Sequence, residues 1–209
     1  MLASCKEIDE VIVVDDCSQD GTRDILLDLK RRQRGKHKRN GKLKILMNAR
    51  NLGKGGAVVE GLKLAKGDTI LLCDADLETL TKGHVRSLIQ TFKAEKLDMV
   101  IAARENYQTL SERLQGDISG ERILHRPPIQ DFIKLIKRSG NGMEQIINYA
   151  HRGKKVKVIV SKNIGHQHKR DRSRFPVWVW EYGKELAQLS GTEMKLRKVS
   201  LLRRASLRE

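Results

Sequence analysis

The feature that most restricts the fold is the regular alternation of short apolar runs with amphipathic stretches over the first hundred or so residues. Glu10 to Asp15 is a β-branched run ending in acids, and Gly21 to Arg32 carries leucines at helical spacing. Leu43 to Met47 predicts a second strand, and Ala57 to Lys66 a helix that stops near Gly67. Thr69 to Cys73 predicts a third strand. Lys82 to Glu95 is helical by its Val85, Leu88, Ile89 and Phe92 stripe, and Asp98 to Ala103 makes a fourth strand. Strands that alternate with helices predict a mostly parallel sheet covered on both faces, with ligands at the carboxyl ends of the strands. Acids stand at those ends.

After Arg104 the texture becomes polar. Ile118 to Arg126 holds a candidate strand, Pro127-Pro128 is a break, and Ile129 to Arg138 and Met143 to His151 are candidate helices. Lys155 to Val160 reads as a strand, residues 161–174 as a basic loop and Phe175 to Leu189 as a final helix. A chain of 209 residues suits one α/β domain with a real core. No apolar run approaches the roughly 18 residues of a membrane span. The start lacks the basic flank and apolar core of a signal peptide, so a cytoplasmic location is expected. Cys5, Cys17 and Cys73 show no metal or disulfide spacing and are read as small fillers.

The formal net charge of +16 favours anionic company. Much of it lies in the block Lys30 to Lys44, which is a solvated loop or a patch for an anionic membrane surface. Nucleic acid is not expected, because that block has no interleaved aromatic residue on which bases could stack.

Asp74-Ala75-Asp76 directly follows the run Thr69 to Cys73, so two carboxylates project from one strand end. Alone, such a triplet is as readily a turn or helix cap. As a ligand pair it suits Mg²⁺ or Mn²⁺ bridging to a diphosphate, because hard cations take oxygen donors. Upstream stand Asp15-Asp16-Cys17-Ser18-Gln19-Asp20-Gly21-Thr22 and Asn51-Leu52-Gly53-Lys54-Gly55-Gly56-Ala57. In the second segment Gly53, Gly55 and Gly56 let backbone approach a ligand at a helix start, and Lys54 adds a positive charge. It is not a Walker A loop, since neither the spacing nor a Ser or Thr after Lys54 is present.

In order, interval and strand context these segments resemble the successive motifs of glycosyltransferase family 2. The resemblance is strong over residues 8–104 and looser to about residue 170. It implies a GT-A-type α/β fold for nucleotide-diphospho-sugar transfer, with 1–104 as the nucleotide-sugar-binding half, 105–174 as the acceptor side and 175–209 as a helical, basic tail. It also implies that a first strand and helix, normal for the family, are missing before Met1, leaving an N-terminally truncated form. Asp15, Asp16, Lys54, Gly55 and Asp74 are then expected to bind the nucleotide sugar, with Ser18 and Asp20 merely capping the helix near Gly21. Asp74, Asp76 and His166 are expected to hold Mg²⁺ or Mn²⁺, while His125 and His168 are ordinary. Ser119-Gly120-Glu121-Arg122 is similar to an S-G-x-R element of polyprenol-phosphate sugar transferases, and Gly142-Met143-Glu144 to a G-x-x-E helix start. Asp76 and Glu121 are the catalytic candidates, Glu121 as a base if the acceptor is a hydroxyl. Arg122 and Arg126 are expected to hold a phosphate-bearing acceptor.

Phe175, Trp178, Trp180 and Tyr182 beside the basic run His168 to Arg174 suit a lipid headgroup zone, so a lipid-linked acceptor and peripheral attachment at the cytoplasmic face are expected. The same rings would equally pack on the sheet. Two rival readings are a nucleotidyltransferase using the same acid pair and a non-catalytic basic protein that binds anionic membrane or nucleic acid.

Overall fold

The computed structural model of the chain describes residues 1–34, 42–75, 77, 79–104, 119–161, 191–192 and 196. The predicted alternation is present in the first half as β1 (Val11–Asp15), α1 (Thr22–Arg34), β2 (Leu43–Met47), α2 (Gly53–Leu64), β3 (Thr69–Leu72), α3 (Lys82–Ala94) and β4 (Met99–Arg104). The second half supplies β5 (Arg122–His125), a 3-10 turn (Pro127–Phe132), α4 (Ile133–Lys137), α5 (Met143–Ala150) and β6 (Val156–Ser161). The single helix expected over Ile129 to Arg138 is split, its first part being 3-10 with prolines at the opening positions. The helix expected over Phe175 to Leu189 lies outside the described residues.

β1 and β2, with α1 between them in the chain, pair in parallel. β3, β5, β4 and β6 form a second sheet in that order, with β4 and β6 parallel and β5 antiparallel to both β3 and β4. Among the described residues no ladder joins the two sheets. The starts of β1 and β3 are instead joined through Glu10, whose Oε1 accepts from the Lys66 and Gly67 amides at 2.5 and 3.2 Å. Its Oε2 meets Lys44 Nζ from β2 at 2.7 Å.

β4 and β5, in the middle of the second sheet, are covered on both faces, and their alternation sorts side chains into two cores. Met99, Ile101 and Leu124 join Val59 and Leu62 of α2 with Ile129, Phe132, Ile136, Met143, Ile146 and Ile147. Val100, Ala102 and Ile123 point the other way, onto Val85, Leu88, Ile89 and Phe92 of α3. α3 is started by a capping box in which Thr81 Oγ1 accepts from the His84 amide and His84 Nδ1 from the Thr81 amide. α2 also reaches the first sheet, where Gly61 brings it close to Val14 and Ile12. It therefore spans both sheets and carries its own N-terminus to the carboxyl ends of β1 and β3.

His151, just past α5, is buried, and its Nδ1 donates to the Ile147 carbonyl at 2.9 Å. Its Nε2 has no partner among the described residues. Burial pushes its pKa below the usual value, and nearby Arg122 works in the same direction. The folded state therefore prefers neutral His151, and stability falls with pH from the unfolded value near 6.5 down through the folded one. Thermal melting should show this loss between about pH 7 and pH 5, and His151→Gln should show a smaller one; equal slopes would exclude His151 as a source.

Candidate functional site

Two residues beyond β3, the Asp74 carboxylate meets a single ammonium: Lys54 Nζ lies 2.9 Å from Oδ1 and 3.0 Å from Oδ2. Lys54 belongs to the first turn of α2, and its Nζ also meets Glu144 Oε1 of α5 at 2.7 Å. Glu144 is buried, while Asp74 and Lys54 keep about 30% and 31% of their side chains exposed. Burial works to lower the Lys54 pKa, but the charges of Glu144 and Asp74 outweigh it and hold the ammonium above its usual value. The sequence marks Glu144 only as a first-turn acid resembling a family motif; the structure joins it to the nucleotide-side residues.

The turn before β5 closes over Asp74. A Cβ on Gly120 would lie 2.7 Å from Asp74 Cγ and closer still to Oδ2, so only a glycine lets the turn pass. Arg122, wholly buried, holds that turn: Nε and Nη2 donate to the Ser119 carbonyl, and Nη1 donates to Asn148 Oδ1 at 2.8 Å and the Glu144 carbonyl at 3.4 Å. Glu121 is also buried, and Ser119 Oγ donates to its Oε2 at 2.8 Å. Burial, with Glu121 and Asp74 adding negative charge, pushes the Cys73 thiol up to about 12, which keeps it protonated at neutral pH.

At the end of β1, Asp15 is buried, with Oδ1 accepting from the Ser18 amide at 3.1 Å and Oδ2 having no partner among the described residues. Asp16 acts as a bracket: its Oδ1 accepts from Asn48 Nδ2 at 2.8 Å and from the Leu52 amide at 2.9 Å, fixing the entry to α2. Asn48 has no signal in the sequence beyond its place after β2. Asp20 accepts from the Thr22 amide at 3.2 Å, the capping role expected of it.

Residues 1–140 match the family described as glycosyl transferase family 2. The chain belongs to that family. Over 110 residues it is 34% identical to an undecaprenyl-phosphate 4-deoxy-4-formamido-L-arabinose transferase of Photorhabdus laumondii, a match that covers 51% of this chain and 31% of the relative. The matched part is thus less than a third of that relative. A mannosyltransferase from Pyrobaculum calidifontis, solved with GDP-Man and Mn²⁺, is similar in structure with a TM-score of 0.64 at 15% identity, over 89% of this chain and 55% of that one. Glucosyl-3-phosphoglycerate synthase from Mycobacterium tuberculosis, solved with Mn²⁺, UDP-Glc and glycerol 3-phosphate, gives a TM-score of 0.64 at 16% identity, over 90% and 69%. Identities that low establish a shared fold, which is the GT-A glycosyltransferase fold.

The structure also places several of the other expected residues in packing and turn contacts. A Cβ on Gly55 would sit 2.7 Å from Ser139 Oγ and nearer still to the Ile136 carbonyl, so its small size lets α2 pack against the end of α4. Arg122 has no exposed surface for an acceptor. Arg126 follows the other end of β5. Its amide donates to the Asp68 carbonyl and its Nη1 to the Ala65 carbonyl at 2.9 Å, ahead of β3 and so remote from Asp74. Four residues along a strand separate the two arginines by roughly 13 Å. Glu121, enclosed by the Ser119 turn, serves that turn in this arrangement.

Asp74 offers hard oxygen donors of the kind Mg²⁺ and Mn²⁺ take, so it fits the metal its family implies. Asp76, His166 and His168 lie outside the described residues, and no group of three His, Cys, Asp or Glu side chains converges among the described ones. The aromatic cluster Phe175 to Tyr182 lies outside them too, as do residues 35–41 of the basic block. No described helix is long and apolar enough to cross a membrane.

The closure over Asp74 is testable through stability. Gly120→Ala should cost about 1–3 kcal/mol, because a methyl would be forced onto the Asp74 carboxylate and would displace it from its ion pair with Lys54. Gly67→Ala, whose Cβ would meet nothing nearer than 3.6 Å, should stay within about 0.5 kcal/mol of wild type. Urea denaturation measures both, and equal costs would contradict the close packing at Gly120.

Proposed function

We propose that the chain transfers a sugar from a UDP- or GDP-linked donor to a phosphate-bearing acceptor, with Mg²⁺ or Mn²⁺ at Asp74. The observation that carries this reading is the position of Asp74. It stands just past β3 at the carboxyl edge of the sheet, facing the N-terminal turn of α2, with Gly120 closed behind it. Helix N-termini favour anions, and so does Lys54, so a donor diphosphate would be met by the α2 amides and the ammonium. Asp15, with one buried carboxylate oxygen to spare among the described residues, would accept from the base or ribose. The metal, when bound, would stabilise charge developing on the departing diphosphate. Asp76 and His166 are proposed to complete its ligand set, and Asp76 to share in catalysis.

A phosphate acceptor needs no general base, which agrees with the enclosure of Glu121. The relative from Photorhabdus is named for undecaprenyl phosphate, and this supports a polyprenyl phosphate as the acceptor and a peripheral place at a membrane surface. Soluble phosphate acceptors are the second case, since glycerol 3-phosphate accompanies the nucleotide sugar in the mycobacterial structure.

Asp74→Ala should abolish Mn²⁺-dependent binding of UDP and GDP while leaving the circular dichroism spectrum intact. Calorimetry that shows unchanged affinity with and without Mn²⁺ would refute the metal-diphosphate assignment. In a donor panel with polyprenyl phosphate, turnover should release UDP or GDP; release of pyrophosphate would identify a nucleotidyltransferase instead. Transfer to glycerol 3-phosphate or phosphoglycerate but never to polyprenyl phosphate would overturn the lipid acceptor alone.

A further inference from the structure

The Lys54 ammonium occupies the place a chelated cation would take on Asp74, nearly equidistant from both carboxylate oxygens. We propose that Lys54 is a competing counter-ion for Asp74, so that a divalent cation binds this chain together with a diphosphate and only weakly by itself. The inference rests on the reading of Asp74 as a metal-diphosphate ligand.

Four observations support it. Both Asp74 oxygens are already engaged by one cation, so an incoming metal must displace that cation or share a carboxylate with it. The carboxylate cannot swing toward the Gly120 turn, which packs against it on that side. The ammonium has a second anchor in buried Glu144, which holds it in place when Asp74 is contested. And Lys54 stands in the first turn of a helix, where the peptide dipoles disfavour a cation and favour an anion.

The charge balance then sets the order of events. A divalent cation added alone would set two cations against the two carboxylates of Asp74 and Glu144, in a partly buried cluster where like charges repel more strongly than in water. A diphosphate arriving with the cation changes this. Its oxygens give Lys54 a new anionic partner within the same turn of α2, and they complete the coordination of the metal. Lys54 thus moves from blocking the metal to binding the group that the metal accompanies. Linkage makes the effect reciprocal, so the cation must tighten nucleotide binding by the same factor that the nucleotide tightens cation binding.

The test is the affinity of the 209-residue chain for Mn²⁺, followed by the electron paramagnetic resonance signal of the free ion, with and without saturating UDP or GDP. Wild type should bind Mn²⁺ weakly alone and at least about tenfold more tightly with nucleotide. Lys54→Met should bind Mn²⁺ alone about tenfold more tightly than wild type, and nucleotide should then add less than about threefold. Because Lys54→Met leaves Glu144 buried without its ammonium, which threatens the fold, the double variant Lys54→Met with Glu144→Gln is measured alongside it. Variants that bind Mn²⁺ alone no more tightly than wild type, or that keep the full nucleotide effect, would overturn the inference while leaving Asp74 as the ligand. If wild type shows no Mn²⁺-dependent nucleotide binding at all, the reading of Asp74 falls, and this inference with it.

Discussion

The arrangement around Asp74 depends on one buried guanidinium. Arg122 is entirely enclosed, and a charge taken out of water is tolerated only where its hydrogen bonds are made. It makes them to the Ser119 carbonyl, the Glu144 carbonyl and the Asn148 side chain. The first contact fixes the turn in which Gly120 cups Asp74, and the other two fix the opening turns of α5, from which Glu144 reaches Lys54. Both walls of the cluster therefore take their positions from the same side chain. An arginine suits this task better than a lysine, because its planar fork serves several acceptors in fixed directions.

The protein as a whole is strongly basic, yet acids are concentrated where the carboxyl ends of β1 and β3 lie. That contrast has a use. A broad positive field draws anionic molecules toward the surface, and on the proposed reading a local carboxylate with a divalent cation would select among them those bearing a chelating diphosphate. A site of positive charge alone would hold any phosphate. The acid at its centre would make the choice conditional on metal.

The first half of the fold was legible because its signals are local. The alternation of Val11 to Val14 with the leucines of α1, and the four-residue stripe of α3, reflect periodicities that neighbouring residues impose on one another. Asp74 was legible for the same reason, since a carboxylate just after a strand must stand at a sheet edge. What the sequence hid depends on contacts between distant segments. The antiparallel course of β5 decides that Arg122 lies near Asp74 while Arg126 lies at the far end, and nothing in the run from Ser119 to Arg126 declares that direction. Burial of Arg122 is equally silent, because its partners come from α5, more than twenty residues later. The packing of Gly55 was hidden in the same way, because the space beside it is taken by the end of α4, a distant segment.

Among the described residues, β1 and β3 are linked by side chains and by α2 rather than by a ladder. In a continuous sheet, main-chain hydrogen bonds would hold the acids of β1 at a fixed distance from those of β3. Here that distance rests on the apolar seat of α2 against Val14, on the Asp16 bracket and on the Glu10 bridge to Lys66 and Gly67. α2 is the element that both sheets share, seated on Val14 and Ile12 at one side and on Met99, Ile101 and Leu124 at the other. One helix thus carries Lys54 to Asp74 and the Leu52 amide to Asp16, so the acids at the two strand ends are spaced by a common rod.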